Sequence, residues 1–398
     1  MPVYFFRNLP LISYYQPQTM SMGEFIHRRD WLKQSALAAV GLGISLRSLA
    51  GEDYLPRNFG SEKGLINLGA NENPYGISPK ARQAIIDMLG ESNRYQFNVS
   101  SLQSLKNDLA AYYGLSPEQI LITAGSGEGL VLLARYFSKG NIIAANPTFN
   151  ILQNAAKRIS TPVIEIPLTS GKVNDLSGML AAINSNTSLV YIVNPNNPTG
   201  TIVKPSALKS FCEEACKKTF VLIDEAYIDF VDAPDNESMI GLIEKNPNLI
   251  VMRTFSKIHG MAGLRIGFIA GQPGLISKLE ENYFSNSRYC VSNLTMAAAL
   301  ASLKDEGHRK TCKEKNDAAR AYTINSLQEL KLKVTPSYTN FIFFDLGTYK
   351  GDFGKDMLEK NILLRSNSDS DGKWCRVSVG TMDEMKIFVN TMKKTFSM

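Results

Sequence analysis

Residues 220–227 read Phe-Val-Leu-Ile-Asp-Glu-Ala-Tyr, an apolar run that ends at two acidic residues. A short apolar run with polar residues beyond it predicts a β-strand buried on both faces, with Asp224 at its carboxyl end. Five other short runs rich in β-branched residues have the same character, and stretches with helical spacing lie between them. The predicted strands are 120–123, 141–145, 189–193, 220–224, 249–253 and 265–270, and the predicted helices include 129–137, 150–158 and 207–217.

This alternation of strands and helices predicts the fold class. It favours βαβ units and an α/β fold, in which a mostly parallel sheet has helices on both faces and forms a large three-layer domain. After about residue 275 the pattern changes to long helices, followed by two further strands. We therefore predict a signal region over 1–50, an N-terminal arm over 51–75, a large domain over 76–275 and a smaller α+β domain over 276–398. The later elements are predicted helices at 294–303 and 305–330 and predicted strands at 340–344 and 376–379.

The composition is that of a globular protein. Of 398 residues, 44% are hydrophobic and 20% are charged, which excludes a disordered, collagen-like or coiled-coil chain. The formal net charge of +6 arises partly in the first fifty residues, so we expect no nucleic-acid partner. Five cysteines in so long a chain do not form a disulfide framework. Cys212 and Cys216 have no nearby Cys or His pair to complete a zinc site, so we interpret them as buried thiols and expect no metal.

The first fifty residues resemble an export signal. Residues 27–33 read His-Arg-Arg-Asp-Trp-Leu-Lys, a twin arginine followed by an apolar pair and a lysine, and 35–46 is a weakly apolar stretch. That stretch is too short and too mild for a stable membrane span, and residues 48–50 offer a cleavage site after Ala50. We expect export to the periplasm through the twin-arginine pathway, with Met20 or Met22 as possible true starts. The alternative is a cytoplasmic protein with a solvated N-terminal helix.

Polar residues follow four of the predicted strands at their carboxyl ends, where ligands bind in an open α/β sheet. Residues 123–129 form a Gly/Ser-rich loop, and residues 194–200 read Asn-Pro-Asn-Asn-Pro-Thr-Gly. Residues 224–227 supply carboxylates and a phenol, and residues 253–257 supply hydroxyls and a lysine. We therefore interpret the four strand ends together as one candidate site.

The Gly/Ser loop is a candidate phosphate site. Ser126, Gly127 and Glu128 lie where a strand turns into a helix, so free backbone N–H groups and the helix dipole favour a phosphate there. Ser256 and Arg265 can add a hydroxyl and a cation. The loop matches neither GxGxxG nor the P-loop. An ordinary strand–helix turn, with Arg265 as a structural ion-pair residue, is the alternative.

The other strand ends supply groups that suit a pyridine cofactor. Desolvation and neighbouring cations at the end of a buried strand lower the pKa of a lysine, so Lys257 is a candidate nucleophile. The buried carboxylate of Asp224 needs a positive partner, for which a pyridinium nitrogen is one candidate. Tyr227 can reach the same ligand, and the Pro-rich turn restricts Asn197 for one hydrogen bond. A reactive lysine, a carboxylate facing a ring nitrogen and a phosphate cradle together describe the handling of pyridoxal phosphate (PLP).

From about Asn67 to its C-terminus, the chain resembles the fold-type I, class I/II PLP-dependent aminotransferases. It is most similar to the histidinol-phosphate aminotransferase group. The motifs that carry the resemblance are residues 71–76 (Asn-Glu-Asn-Pro-Tyr-Gly), 125–129, 194–200, 224–227, 256–257, 263–267 and 376–381. The resemblance implies the fold-type I architecture and PLP as the cofactor.

The resemblance also implies roles in cofactor binding. Lys257 would bind the cofactor covalently and shuttle the proton, and Asp224 would contact the pyridinium nitrogen. Asn197 and Tyr227 would hold the oxygen of the ring 3-hydroxyl group. Phe149 would stack on the cofactor ring. The cofactor phosphate would be bound by Ser126, Gly127, Ser256 and Arg265. The family commonly has Asp where this chain has Gly127, whose backbone can still serve.

Further implied roles concern the substrate and the partner subunit. Arg376 would clamp the substrate carboxylate, or an equivalent phosphate, through its planar guanidinium. Asn340 and Arg365 would line the same region. Tyr75 would reach the phosphate of the neighbouring subunit's cofactor, which implies a homodimer with shared active sites.

The predicted function is therefore transfer of an amino group between an amino donor and a 2-oxo acid. The donor would be histidinol-phosphate-like or an aromatic amino acid. Because fold and cofactor do not fix which bond breaks, a decarboxylase similar to threonine-phosphate decarboxylase, or a C–S lyase, is the alternative. Export would conflict with histidinol phosphate as the physiological donor, since histidine biosynthesis is cytoplasmic.

Overall fold

A computed structural model of the chain describes residues 64–94, 99–284, 291–369 and 372–396. The predicted export signal and most of the predicted N-terminal arm lie outside the described residues. The strands are β1 (Ile66–Asn67), β2 (Ile120–Thr123), β3 (Asn141–Asn146), β4 (Val163–Pro167), β5 (Thr187–Val193), β6 (Phe220–Asp224), β7 (Leu249–Thr254), β8 (Gly267–Ala270), β9 (Phe341–Asp345), β10 (Ile362–Leu363), β11 (Arg365–Asp369) and β12 (Gly372–Ser378).

Helices separate most of these strands. The α-helices are α1 (Pro79–Met88), α2 (Val99–Tyr113), α3 (Ser126–Tyr136), α4 (Ile151–Arg158), α5 (Leu176–Ala182), α6 (Pro205–Ala215), α7 (Pro234–Glu237), α8 (Pro273–Leu279), α9 (Asn293–Leu303), α10 (Glu306–Glu329), α11 (Phe353–Leu358) and α12 (Met382–Phe396). Shorter turns of 3₁₀ or π helix lie at Leu89–Glu91, Pro117–Gln119, Ile228–Phe230, Ile240–Leu242, Ala262–Leu264 and Glu280–Phe284. Among the described residues, none of these helices has the length and apolar character that crossing a membrane requires.

Seven strands form the large sheet, in the order β2-β8-β7-β6-β5-β3-β4. The pairs from β7 to β4 are parallel, whereas β8 runs antiparallel to both of its neighbours. The carboxyl ends of the parallel strands therefore meet at one edge of the sheet, as the sequence predicts.

Both faces of the large sheet are buried, because alternate residues along each strand enter two separate cores. On β6, Val221 and Ile223 belong to one core, and Leu222 belongs to the other. Helices α2, α6 and α9 pack on the first face, and α3, α4 and α8 pack on the second. The predicted three-layer α/β fold is confirmed.

A second, smaller sheet follows, in the antiparallel order β11-β12-β9. Its apolar residues form a third core with α10, α11 and α12. Strand β1 pairs in parallel with β10, which ties the segment before α1 to this later part of the chain. These elements match the predicted small α+β unit, while the domain boundaries themselves stay a prediction.

Two local differences from the predicted elements have physical reasons. The strand predicted over 265–270 begins only at Gly267, because Arg265 adopts a left-handed conformation with φ of 56°. Strand β4 was not predicted. It is a partly exposed edge strand whose run is bounded by Pro162 and ends at Pro167, so its pattern resembles a loop.

Candidate active site

A cavity of about 970 Å³ lies at the carboxyl edge of the parallel strands. Its wall comes from the large sheet, from the segment before α1 and from the three-stranded sheet. The structure brings most of the predicted site residues to this one wall: Ser126, Gly127, Phe149, Asn197, Asp224, Tyr227, Ser256, Lys257, Arg265, Arg365 and Arg376.

Asp224 is a buried carboxylate at the end of β6, only 1% exposed. It accepts hydrogen bonds from the hydroxyl of Tyr191 at 3.3 Å and from the backbone N–H of Ala226 at 3.1 Å. Burial raises the pKa of Asp224 to about 6, although both hydrogen bonds and the charge of Lys257 act in the opposite direction. Within the described ranges, no Lys, Arg or His side chain forms an ion pair with Asp224. The carboxylate therefore suits a cationic atom of a ligand.

The hydroxyl oxygen of Tyr227 accepts hydrogen bonds from two side-chain amides. Asn71 Nδ2 donates to it at 3.1 Å, and Asn197 Nδ2 donates to it at 3.3 Å. Because the two amides occupy the acceptor sites of the oxygen, the phenol proton remains available for a ligand in the cavity. The two predicted partners, Asn197 and Tyr227, are thus brought together as one polar unit.

Lys257 lies just beyond β7 and is half-buried. Its Nζ donates to the carbonyl oxygen of Asn71 at 3.0 Å and lies 3.4 Å from that of Ala70. The same nitrogen lies 5.5 Å from the centre of the Tyr227 ring. Among the residues that the structure describes, no carboxylate forms an ion pair with Lys257, so two neutral carbonyl groups hold an amine that faces the cavity.

The phosphate end of the cavity is the N-terminus of α3. Ser126 and Gly127 are the first two residues of this helix, and N–H groups of a first helical turn have no partner within the helix. The Ser256 hydroxyl accepts a hydrogen bond from Thr254 at 3.0 Å, which leaves its own proton to donate. Arg265 donates to the carbonyl oxygen of Ala262 at 2.9 Å. A hydroxyl, a cation and free N–H groups therefore line the same cavity.

Two arginines reach the cavity from one face of the three-stranded sheet. Arg365 on β11 and Arg376 on β12 are partners in register, and Phe343 on β9 continues the same row. Arg376 donates to Asn197 Oδ1 at 2.8 Å and to the carbonyl oxygen of Gly69 at 2.6 Å. Like charges on adjacent strands repel each other, so the pair favours an anion between them.

The guanidinium of Arg376 has no carboxylate partner among the described residues. Its Nε is buried without a hydrogen-bond partner, and burial lowers the pKa of the group. A buried cation that lacks a counter-ion in the described protein is suited to clamp an anionic substrate group.

Three predicted site residues do not reach the cavity wall. The carboxylate of Glu128 accepts the backbone N–H of Ala124 at 2.6 Å, so it stabilises the turn before α3 instead. Asn340 donates to the carbonyl oxygens of Asn71 and Glu72, at 3.0 and 3.2 Å. Tyr75 packs in an apolar cluster beside Tyr227. These side chains support the wall from behind.

Two residues with roles in this geometry were missing from the sequence prediction. Asn71 holds both Lys257 and Tyr227, and it lies in the quoted motif 71–76, so that motif was a usable signal. Tyr191 donates to Asp224 from inside the apolar strand β5. A tyrosine within an apolar run looks like a core residue, and only the neighbouring strand reveals its partner.

These observations fit PLP as a ligand. The buried carboxylate of Asp224 matches a protonated ring nitrogen, and the end of α3 with Ser256 matches a phosphate. Gly125 has a φ of 83°, which favours glycine, and a Cβ atom there would also meet the guanidinium of Arg265. The half-buried amine of Lys257 matches an aldehyde.

Comparison with known proteins agrees with this fit. The family described as "Aminotransferase class I and II" matches residues 63–392. The chain is 36% identical over 345 residues to the histidinol-phosphate aminotransferase of Brevibacillus brevis, covering 86% of this chain and 93% of that relative. It is 34% identical over 325 residues to the enzyme of the same name from Halalkalibacterium halodurans, covering 80% and 86%.

Solved structures show the same likeness. A putative histidinol-phosphate aminotransferase from Erwinia carotovora is 32% identical with a TM-score of 0.77, covering 83% of this chain and 95% of that one. Histidinol-phosphate aminotransferase from Sinorhizobium meliloti, solved in complex with pyridoxal-5'-phosphate, is 25% identical with a TM-score of 0.77, covering 84% and 91%.

Fold, site and matches together define a PLP-dependent transferase of fold type I. The chain belongs to the class I and II aminotransferase family. Within that family its relatives confirm the resemblance to the histidinol-phosphate aminotransferase group, and pyridoxal phosphate is its cofactor.

Proposed function

We propose that this aminotransferase takes its amino group from a donor that carries an anionic group beside the amine, of the histidinol-phosphate or aromatic amino-acid kind, and passes it to a 2-oxo acid. The observation that carries the proposal is the in-register pair Arg365 and Arg376 facing the same cavity as Lys257. Two adjacent cations suit a phosphate or a carboxylate. Phe343 and Trp374, stacked at 4.8 Å on the same wall, offer an aromatic surface beside them.

The residues divide the work of the reaction. When bound, PLP supplies an electron sink for the electron pair released at the substrate Cα. Asp224 would hold the proton on the ring nitrogen, and Tyr227 with Asn197 would hold the ring hydroxyl oxygen. The amine of Lys257 would take the proton from Cα and return it, since it is a base within the same cavity. Arg376 would fix the substrate anion and so orient the bond that breaks.

The test is a half-reaction with the purified holoenzyme. Incubation with histidinol phosphate or an aromatic amino acid alone should convert the bound cofactor to its pyridoxamine form in stoichiometric amount, and a 2-oxo acid should reverse the conversion. Replacing Arg376 with Lys should raise the donor KM by about tenfold or more, because the bidentate fork is lost. Release of CO₂ from the aromatic amino acid without formation of the pyridoxamine form would instead indicate a decarboxylase and overturn the proposal.

We further propose a homodimer with shared sites. The support is the position of Tyr75, which packs behind the wall of its own cavity instead of lining it. In the resembling family this phenol reaches the phosphate of the partner subunit's cofactor, so a second copy would complete each site.

Export through the twin-arginine pathway is also a proposal, and it rests on residues 27–50 alone. A fusion of residues 1–60 to a reporter that is active only after export should give signal in a bacterial host. A matched fusion with Arg28→Lys and Arg29→Lys should give none. Equal signal from both fusions, or from neither, would contradict export by this pathway.

A further inference from the structure

A buried ionic cluster lies directly behind the candidate site and has no part in the proposed reaction. Glu225 is 1% exposed and Arg253 is 5% exposed. The Nε of Arg253 lies 2.8 Å from Glu225 Oε2, and its Nη2 donates to the Ser238 hydroxyl at 3.0 Å. The Glu225 carboxylate also accepts the Ser238 hydroxyl at 2.8 Å and the backbone N–H of Met239 at 2.6 Å. Every oxygen of the carboxylate is therefore engaged.

The cluster joins the two strands that carry the chemistry. Glu225 follows Asp224 directly at the end of β6, and Arg253 lies on β7, four residues before Lys257. The strands are in register, with Asp224 opposite Met252. The ion pair thus ties the strand end that carries the carboxylate to the strand end that leads to the amine.

The pair lies on the far face of the sheet from the cavity. Alternate residues of a strand lie on opposite faces, so Arg253, two residues after Val251, lies on the face of the first core. Leu222 and Met252 belong to the second core, and Asp224, two residues after Leu222, lies on that face. Neither Glu225 nor Arg253 lines the cavity. Any influence on the reaction must therefore act through Asp224 and Lys257.

Charge balance gives the pair a second effect. The groups that face Asp224 are the Tyr191 hydroxyl, the Ala226 N–H, Lys257 and the negative Glu225, and the last of these raises the pKa of Asp224. Arg253 also faces Asp229 at 3.7 Å and the Tyr113 ring at 5.0 Å. Removing Arg253 would leave two negative charges behind the site without their buried counter-ion.

Resting on the proposed function, we propose that Arg253 and Glu225 are a positioning pair that fixes Asp224 relative to Lys257 and shields Asp224 from the charge of Glu225. A buried ion pair adds little net stability compared with apolar residues of similar volume, so stability alone is a weak reason for it. Placement of two functional strand ends is a specific task that an apolar pair would perform less well, because it lacks directional bonds.

The experiment compares Arg253→Met with the double variant Arg253→Met and Glu225→Gln. The single variant should bind PLP about tenfold more weakly or worse, and the pH at which the visible absorbance of the bound cofactor changes should move upward, since an unpaired anion favours protonated groups nearby. In the double variant the pH midpoint should return toward the wild-type value, because the charges are balanced again. Its PLP affinity should stay low, because the tie between the strands is still missing.

The matched control is Lys106→Met, which breaks a partly buried ion pair with Glu280 at 2.7 Å, away from the cavity wall. It should leave the PLP affinity and the pH midpoint unchanged. Wild-type values for both quantities in folded Arg253→Met, or an equal loss in the control, would overturn the proposal. If Arg253→Met does not fold, Arg253→Lys keeps the charge without the fork, and it should weaken PLP binding while the pH midpoint stays in place; wild-type PLP affinity in Arg253→Lys would then overturn the proposal.

Failure of the proposed function looks different. In that case the wild-type protein itself would not form the pyridoxamine form with any donor, although the variants could still differ from it in PLP affinity. A defect confined to the Arg253 and Glu225 variants concerns the positioning pair alone.

Discussion

At the scale of single residues, the site is built from charged groups that lack opposite charges in the described protein. Asp224 is held by a phenol and a backbone N–H, and Arg376 by an amide oxygen and a carbonyl oxygen. Burial disfavours the charged form of both groups, so it raises the pKa of Asp224 and lowers the pKa of Arg376. Burial of these two charges therefore lowers the stability of the cofactor-free protein, and ligand groups of opposite charge offset that loss.

The first prediction concerns Asp224→Asn. In the native protein Asp224 keeps its proton up to about pH 6, against 3.8 for an ordinary aspartate. The unfolded chain binds fewer protons between these values, so stability of the cofactor-free protein falls as the pH rises through this window. Because asparagine has no charge to bury, the free energy of unfolding of the variant should be higher by at most about 3 kcal/mol. Its catalytic rate should fall by about a hundredfold or more.

Thermal melts of the two cofactor-free proteins at pH 5 and pH 8 check this prediction. The variant should melt at the higher temperature, and the difference should be larger at pH 8. A difference that does not change with pH, or a less stable variant, would show that burial of the Asp224 charge is not the cost we infer.

Sequence reasoning identified single residues well where their chemistry is unusual for their position. A lysine and an aspartate at the ends of apolar strands stand out in the chain, and both line the cavity. Glu128 does not line the cavity, and its side chain turns back to accept the backbone N–H of Ala124. Tyr191 was missed because its partner lies on another strand.

At the scale of elements, the phosphate end depends on close contact between α3 and β8. A Cβ atom at Gly267 would lie 2.8 Å from the backbone nitrogen of Ser126 and 2.8 Å from the carbonyl oxygen of Arg253. Both neighbours are backbone atoms, which cannot swing aside. The glycine at the first residue of β8 therefore leaves the space that the start of α3 occupies.

The second prediction is that Gly267→Ala separates these elements. It should weaken PLP binding by about tenfold and cost about 1–3 kcal/mol of stability, because the overlap is with fixed backbone. The control is Gly274→Ala in α8, where an added Cβ meets nothing within 4 Å and alanine favours the helix. Titration of both cofactor-free proteins with PLP, beside thermal melts, compares them; equal PLP affinity in the two variants would refute the prediction.

Element prediction succeeded where apolar periodicity is strong. The strands at 120–123 and 220–224 have the predicted bounds, and most others differ by one or two residues, but β12 begins at Gly372, four residues before its predicted start. Strands β1, β4, β10 and β11 were not predicted. The position of β4 depends on an exposed edge, and the late start of β8 depends on a left-handed backbone at Arg265. Neither feature has a periodic signal in the chain, so periodicity could not predict them.

At the scale of the whole molecule, the proposed dimer makes a prediction about mixed subunits. Tyr75→Ala and Lys257→Ala proteins should each be inactive alone. If Tyr75 serves the partner's site, subunit exchange between them creates heterodimers with one intact site, which restores about a quarter of the wild-type activity at random mixing.

Activity of the exchanged mixture, measured against each variant alone, decides this point. Mixing Lys257→Ala with Asp224→Ala is the matched control, because Asp224 and Lys257 line the same cavity and each should act in its own subunit. In that mixture, unlike the first, no heterodimer should gain an intact site. No recovery in the mixture of Tyr75→Ala with Lys257→Ala, or equal recovery in the control, would contradict the shared-site dimer.

The central claim is that the amine of Lys257 carries the cofactor, and chemical reduction tests it most directly. Treatment of the PLP-loaded protein with borohydride should fix the cofactor permanently, and mass spectrometry of the digested chain should find the added mass on the peptide that contains residue 257. The Lys257→Ala protein should show no such label. A label on a different lysine, or none on the wild-type protein, would contradict the account.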